Sequence, residues 1–127
     1  MSAKILLAED NVSNRYLATY LLEEAGFTVV PAHNGRDALR LALAESPDLV
    51  LMDIQMPEMD GYEAAARMRA DPRLATIPIV AVTSYAMTSD RAKALEMGFV
   101  GYIEKPIHPR TFVTEISQFL PGKAAHP

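Results

Sequence analysis

Short runs of apolar residues, continuous rather than alternating, recur along the chain at Lys4–Ala8, Thr28–Ala32, Leu49–Asp53, Ile79–Thr83 and Gly101–Glu104. A strand with one wet face alternates apolar and polar residues, so continuous runs of this length are expected of strands covered on both faces. Between the runs lie stretches of helical period. The first spans about Asn11 to Ala25, with Leu17, Leu21 and Ala25 at four-residue intervals; the second, Gly35 to Glu45, carries Ala38, Leu41 and Ala42. A third runs from about Asp60 to Ala70 and a fourth from about Thr88 to Met97. The last places Phe112, Ile116, Phe119 and Leu120 on one face. Gly26 and Gly98, each followed by phenylalanine, are expected as left-handed helix caps, and Ser46-Pro47 and Ile77-Pro78 punctuate the approaches to the third and fourth strands.

Five β-α units predict an α/β fold: a doubly wound, parallel, five-stranded sheet in a three-layer sandwich with right-handed crossovers. The expected strand order is the flavodoxin-like 2-1-3-4-5, whose topological switch lies between the first and third strands. The 127 residues suffice for one domain, expected over 1–120, with 121–127 as a short tail. Met1 and the short tail are expected of a complete small protein. A net charge of −4 and the absence of any basic run give no reason to bind nucleic acid. There is no cysteine, which excludes disulfides, thiolate-bound zinc and thiol catalysis. The apolar stretch after Met1-Ser2-Ala3-Lys4 is too short for a signal sequence or a membrane span, so a soluble, cytoplasmic protein is expected.

Asp53 ends one apolar run and opens the loop Ile54-Gln55-Met56-Pro57-Glu58-Met59-Asp60-Gly61. Glu9-Asp10 end the first run in the same way, Thr83 ends the fourth, and Lys105-Pro106 follow the fifth. In open α/β sheets the C-terminal ends of the strands carry the ligand site, and the predicted switch point sets Glu9-Asp10 beside Asp53. Three carboxylates, with the Gln55 backbone carbonyl as a further oxygen, suit Mg2+ or Mn2+. Converging without a cation they repel one another, so a raised carboxyl pKa is expected. Lys105 and Thr83 each offer a donor to a phosphoryl oxygen, leaving Asp53 to attack phosphorus in line and form an aspartyl phosphate.

Each of these residues alone has an ordinary explanation. A strand-end aspartate is most often a turn former, Glu9-Asp10 suit a helix N-terminus, Thr83 is a normal strand residue, and a lone lysine is usually a solvated charge. What distinguishes them is joint placement at the C-terminal ends of four strands. In that combination Glu9-Asp10-Asn11, Leu51-Met52-Asp53 through Gly61, Ala81-Val82-Thr83 and Tyr102-Ile103-Glu104-Lys105-Pro106 resemble a response-regulator receiver domain, over residues 4 to about 120. Asn14-Arg15 and Ala86-Met87 are most similar to DivK-type single-domain regulators and the receivers of hybrid kinases.

The resemblance implies a bacterial two-component or phosphorelay protein. Asp53 would be its phosphoacceptor, Glu9 and Asp10 its magnesium ligands, and Thr83 and Lys105 its phosphoryl contacts. It further implies a switch coupling Thr83 to Tyr102 and reshaping the face made by the fourth helix, fifth strand and fifth helix. Gln55 and Tyr85 occupy positions that tune the lifetime of the aspartyl phosphate. Ser84 departs mildly from the family's usual alanine, and a cis Lys105–Pro106 bond is expected. Asn14, Arg15, Pro106 and Ile107 are the expected docking patch for a phosphohistidine-bearing bundle. The implied partners are a sensor histidine kinase or histidine phosphotransferase and a downstream protein target, with the chain a monomer or a phosphorylation-dependent dimer. It would be a stoichiometric phosphoacceptor that catalyses its own phosphotransfer and slow hydrolysis. The absence of an acid at Gln55 argues against the aspartyl-phosphatase class, and Glu9-Asp10 would repel a flavin phosphate. A receiver-like module that is never phosphorylated is the third alternative. His108, before Pro109, is read as structural, His33 and His126 are isolated, and Met52, Met56 and Met59 are read as adaptable packing.

Overall fold

In the computed structural model, which describes residues 3–56, 59–84 and 88–120 (backbone alone at 88–91), strands and helices alternate throughout. Their order is β1 (Lys4–Ala8), α1 (Val12–Glu24), β2 (Thr28–Ala32), α2 (Gly35–Glu45), β3 (Leu49–Asp53), α3 (Gly61–Ala70), β4 (Ile79–Thr83), α4 (Thr88–Glu96), β5 (Gly101–Glu104) and α5 (Phe112–Ser117). The sheet is parallel with order β2-β1-β3-β4-β5, as the sequence predicts. The expected tail at 121–127, together with Tyr85, Ala86 and Met87, lies outside the described residues.

Strand side chains alternate between two cores. Ile5, Leu7, Leu49, Leu51, Val80, Val82 and Ile103 pack with Ala18 and Leu22 of α1 and Phe112 and Ile116 of α5. Leu6, Ala8, Val50, Met52, Ile79 and Ala81 face the opposite way, onto Ala38 and Ala42 of α2, Ala64, Ala65 and Met68 of α3, and Ala94 of α4. Every residue of β3 and β4 is buried, as continuous apolar runs require. β2 departs from that expectation: Thr28 and Pro31 are exposed, because β2 is an edge strand. Proline, which has no N–H for the ladder, is tolerated there.

Local signals set the helix ends. The Asn11, Asn34 and Asp60 side chains accept from the N–H groups of Asn14 (2.9 Å), Asp37 (2.8 Å) and Glu63 (2.9 Å), satisfying donors that the first turns leave open. Gly26 and Gly98 sit at φ +96° and +97°, with Phe27 N–H reaching Leu22 O and Phe99 N–H reaching Ala94 O at 3.0 Å each. Both are the expected left-handed caps. At the far end of α3, Arg69 donates to the carbonyls of Ala75 (3.1 Å), Ile77 (2.9 Å) and Gly98 (2.9 Å), and so ties α3 to the turn before β5. Burial pulls its pKa down.

Two helices differ from their sequence patterns. The buried line on α1 is Ala18 and Leu22, whereas Leu17 and Leu21 are half-buried and Ala25 is exposed. Four-residue spacing fixes a stripe's direction but not which of two adjacent stripes meets the sheet, and one residue is a rotation of about 100°. α5 is shorter than its apolar pattern. Phe119 and Leu120 lie in the turns after Ser117, and the Phe119 ring fills the space where a Cβ on Gly101 would stand, at 2.4 Å. The α1 difference has a measurable consequence. Leu22→Ala is expected to lower the unfolding free energy by about 3 kcal/mol in urea denaturation and Leu17→Ala by about 1 kcal/mol, the ranking that burial dictates. Equal losses would contradict the observed face.

Candidate functional site

Among the described residues the buried polar or charged side chains are Glu9, Asp53 and Thr83, and all three stand at the C-terminal edge of the sheet. Strand pairing brings them there. Ala8 lies opposite Met52 and Asp53 opposite Val82, so the residues following β1, β3 and β4 share one edge. The ladder continues past the strand ends through Glu9 N–H to Ala32 O (3.0 Å), Ile54 N–H to Val82 O (3.2 Å) and Lys105 N–H to Thr83 O (2.8 Å). The candidate side chains thus hang from hydrogen-bonded backbone.

Lys105 reaches back across the edge. Its ammonium lies 2.8 Å from Glu9 Oε1 and 3.2 Å from Asp53 Oδ2, on a side chain that is 12% exposed. The Lys105–Pro106 bond is cis, as expected. The remaining carboxylate oxygens are also engaged: Asn11 N–H donates to Glu9 Oε2 at 3.1 Å, and Gln55 N–H to Asp53 Oδ1 at 3.2 Å. The loop after Asp53 turns tightly enough that a Cβ on Gly61 would come within 2.6 Å of Asp53 O, so only glycine begins α3 there. Met52 of β3 and Met56 and Met59 of this loop are buried in one core, in keeping with a packing role.

Burial raises the Asp53 pKa, the neighbouring Glu9 charge raises it further, and Lys105 lowers it; the outcome is a carboxyl pushed up to about 7. Burial lowers the Lys105 pKa, but hydrogen bonds and attraction from Glu9 and Asp53 outweigh this and hold it above its ordinary value. Carboxylate oxygens of Glu9, Asp10 and Asp53 lie within 4.8 Å of one another, with Asp10 exposed. Three hard oxygen donors, in a chain without cysteine, fit magnesium or manganese rather than a soft metal.

The other expected residues are distributed as follows. Gln55 is exposed and Tyr85 falls outside the described residues. Thr83 is buried at the edge, and Tyr102 is half-buried against the α2–α4 core. Asn14 is half-buried in the first turn of α1, Pro106 is exposed, and Ile107 packs against the α1/α5 core. Arg15, expected to face a partner, donates from Nη1 to the Glu9 carbonyl at 2.8 Å. The sequence reading missed that inward contact, as it missed the Asn11 N–H bond to Glu9. A positive side chain one turn into a helix that follows a strand end was the available signal. His108 is exposed, and its carbonyl accepts from Phe112 N–H at 2.9 Å at the start of α5, a structural place.

A family model described as the response regulator receiver domain matches residues 5–117. The polar-differentiation response regulator DivK of Brucella anthropi is 38% identical over 120 residues, covering 94% of this chain and 98% of that protein. Among solved structures, the chemotaxis response regulator CheY4 of Vibrio cholerae has a TM-score of 0.89 at 28% identity, covering 94% of this chain and 100% of that one. The receiver domain of the sensor histidine kinase PA1611 from Pseudomonas aeruginosa, with magnesium coordinated in its active-site cleft, has a TM-score of 0.86 at 31% identity and covers 94% and 98%.

A raised Asp53 pKa has a definite sign for stability. Folded Asp53 holds its proton to about pH 7 whereas the unfolded group releases it near 3.8, so stability present below pH 3.8 is lost as pH rises through 7. Without divalent cation, Asp53→Asn is expected to be more stable than wild type at pH 8 by roughly 1–2 kcal/mol, allowing for solvent screening at this open edge. The gap should shrink toward pH 4 in urea titrations, and saturating magnesium should narrow it at pH 8. A variant less stable than wild type at pH 8 would mean that the Lys105 ion pair outweighs the repulsion.

Proposed function

The chain belongs to the response-regulator receiver family, and on that premise we propose that it is a phosphorylation-controlled signalling domain, 1–120, whose phosphoacceptor is Asp53. The observation that carries this reading is that the buried polar side chains described in the core, with Lys105 and Asp10, meet at a single edge. A protein with no use for that edge gains nothing by burying two carboxylates side by side, since each raises the cost of ionising the other.

Glu9, Asp10 and Asp53, with the Gln55 carbonyl, would hold magnesium, which supplies positive charge against both the clustered carboxylates and the phosphoryl oxygens. The reaction at Asp53 is a displacement. A carboxylate oxygen attacks the phosphorus of a phosphohistidine, the new O–P bond forms as the N–P bond breaks, and the bonding pair stays with the imidazole nitrogen. Lys105, already within reach of Asp53, neutralises one phosphoryl oxygen, and the Thr83 hydroxyl donates to another. Asp53 Oδ1, held by Gln55 N–H, is kept from rotating freely before attack. Gln55 and Tyr85 would then govern how fast water reaches the aspartyl phosphate, and the domain would act stoichiometrically, with its own slow hydrolysis.

Phosphohistidine would arrive from a sensor kinase or histidine phosphotransferase docked near Asn14, Pro106 and Ile107. Movement of Thr83 toward the phosphoryl group would let Tyr102 turn inward and reshape the α4-β5-α5 face for a downstream protein. Such phosphohistidine donors act in the cytoplasm, and we place this domain there with them; among the described residues no helix is long and apolar enough to cross a membrane.

Acetyl phosphate tests the core of this reading by intact mass. A single phosphoryl adduct is expected on wild type with magnesium, none on Asp53→Asn, and a strongly reduced yield in chelator. Absence of both an adduct and beryllofluoride binding would overturn it. For the switch, Tyr102→Ala is expected to keep the adduct but lose phosphorylation-dependent partner binding, with Tyr102→Phe intermediate. Unchanged binding in both variants would remove Tyr102 from the mechanism.

A further inference from the structure

Glu9 and Asp10 share one peptide unit, and a planar peptide turns as a body. Whatever fixes the Glu9 carbonyl therefore also fixes the start of Asp10, the one exposed member of the acidic cluster. Glu9 N–H is held by Ala32 O at 3.0 Å, and its carboxylate by Lys105 and Asn11 N–H. Its carbonyl is held from the other side, by Arg15 Nη1 at 2.8 Å. Arg15 can reach because Asn11 caps α1: Asn14 N–H meets Asn11 Oδ1 and Arg15 N–H meets Asn11 O, both at 2.9 Å, which sets residue 15 one turn above the β1 end. The bond is charge-assisted and partly shielded from water, a class stronger than neutral hydrogen bonds.

We propose that Arg15 is a positioning residue that locks the Glu9–Asp10 peptide and thereby sets the affinity of the acidic cluster for a divalent cation. The proposal rests on the reading that Glu9, Asp10 and Asp53 hold magnesium. It assigns Arg15 an inward role in place of the partner contact expected from sequence. Two effects of the guanidinium oppose each other. Its charge repels a nearby cation, whereas its hydrogen bond preorganises two carboxylates, and groups that orient metal ligands in this way are typically worth 10–100-fold in affinity. Preorganisation wins in this account, which gives the test its sign.

Magnesium affinity is measured by calorimetric titration on the full chain, and acetyl-phosphate labelling follows by intact mass. Acetyl phosphate presents no protein surface, so docking plays no part in that reaction. Arg15→Ala is expected to weaken magnesium about tenfold and slow labelling at subsaturating metal, with recovery at high magnesium. Arg15→Lys, which keeps a charged donor, should recover most of the affinity. Metal-free NMR should show the Asp10 amide resonance shifted or broadened in Arg15→Ala and restored in Arg15→Lys. Arg40→Ala, which removes a surface arginine on α2 paired with Asp37 and distant in sequence from the cluster, should leave magnesium affinity unchanged. Unchanged or tighter magnesium binding in Arg15→Ala, with wild type binding and labelling normally, overturns this proposal alone. Wild type that neither binds magnesium nor labels overturns the phosphoacceptor reading with it.

Discussion

One ammonium group holds the functional edge together. Lys105 lies between Glu9 and Asp53, within ion-pair distance of each, and without it two buried carboxylates would face one another across the β1–β3 boundary. Removing one partner of such a cluster leaves an uncompensated buried charge, which is far costlier than losing a surface pair. The lysine also follows a different strand from either acid, so its reach ties the end of β5 to the ends of β1 and β3. Even so, burial first and the Glu9 charge second leave the Asp53 carboxyl pushed up to about 7 despite the lysine. A divalent cation at the Glu9-Asp10-Asp53 cluster would relieve the repulsion that remains.

Topology decides which residues take part in that balance. In the order β2-β1-β3-β4-β5 the strand carrying Asp53 is central, flanked by the strand that ends in Glu9-Asp10 and the strand that ends in Thr83. Parallel strands present all their C-terminal ends on one side, and the crossing helices leave that side uncovered. Burial of every residue in β3 and β4 fixes their register, because a one-residue slip would turn a whole apolar set to the opposite core. Asp53 is placed by the pattern behind it.

Most of this could be read from the sequence, for a physical reason. Continuous apolar runs bounded by Gly, Pro and Asn give strand limits sharply, and a polar residue directly after such a run can only lie at the edge. Glu9, Asp53, Thr83 and Lys105 were legible on that ground. Side-chain direction was not. The α1 stripe was read one residue off, because Leu17-Leu21 and Ala18-Leu22 have the same spacing and only the sheet chooses between them. Arg15 was read as outward-facing because its partner is a backbone carbonyl, and carbonyls leave no mark in a sequence. The edge position of β2 was hidden for a similar reason: Thr28–Ala32 looks apolar enough for the sheet interior, and strand order alone exposes it.

The two cores are unlike, and the difference bears on where the domain can move. On the α1/α5 side the sheet meets Leu22, Phe112 and Ile116, bulky groups with few ways to repack. On the other side it meets mostly small or flexible groups, Ala38, Ala42, Ala64, Ala65 and Ala94 with Met56, Met59 and Met68, beside Ile54, Leu74 and Phe99. Unbranched thioethers refill space after a neighbour shifts, whereas branched or aromatic groups leave a cavity. The adaptable side is the one beneath the Asp53 loop and beneath α4. The end of α4 distant from Asp53 is nevertheless pinned, by Arg69 on the Gly98 carbonyl, by Tyr62 edge-on to Phe99 at 6.2 Å, and by Lys93 over the Tyr62 ring at 4.4 Å. A helix fixed at one end over a compliant core pivots more readily than it slides. Under the proposed switch, a change at the Thr83 edge would therefore turn α4 about that pinned end rather than slide it along the sheet.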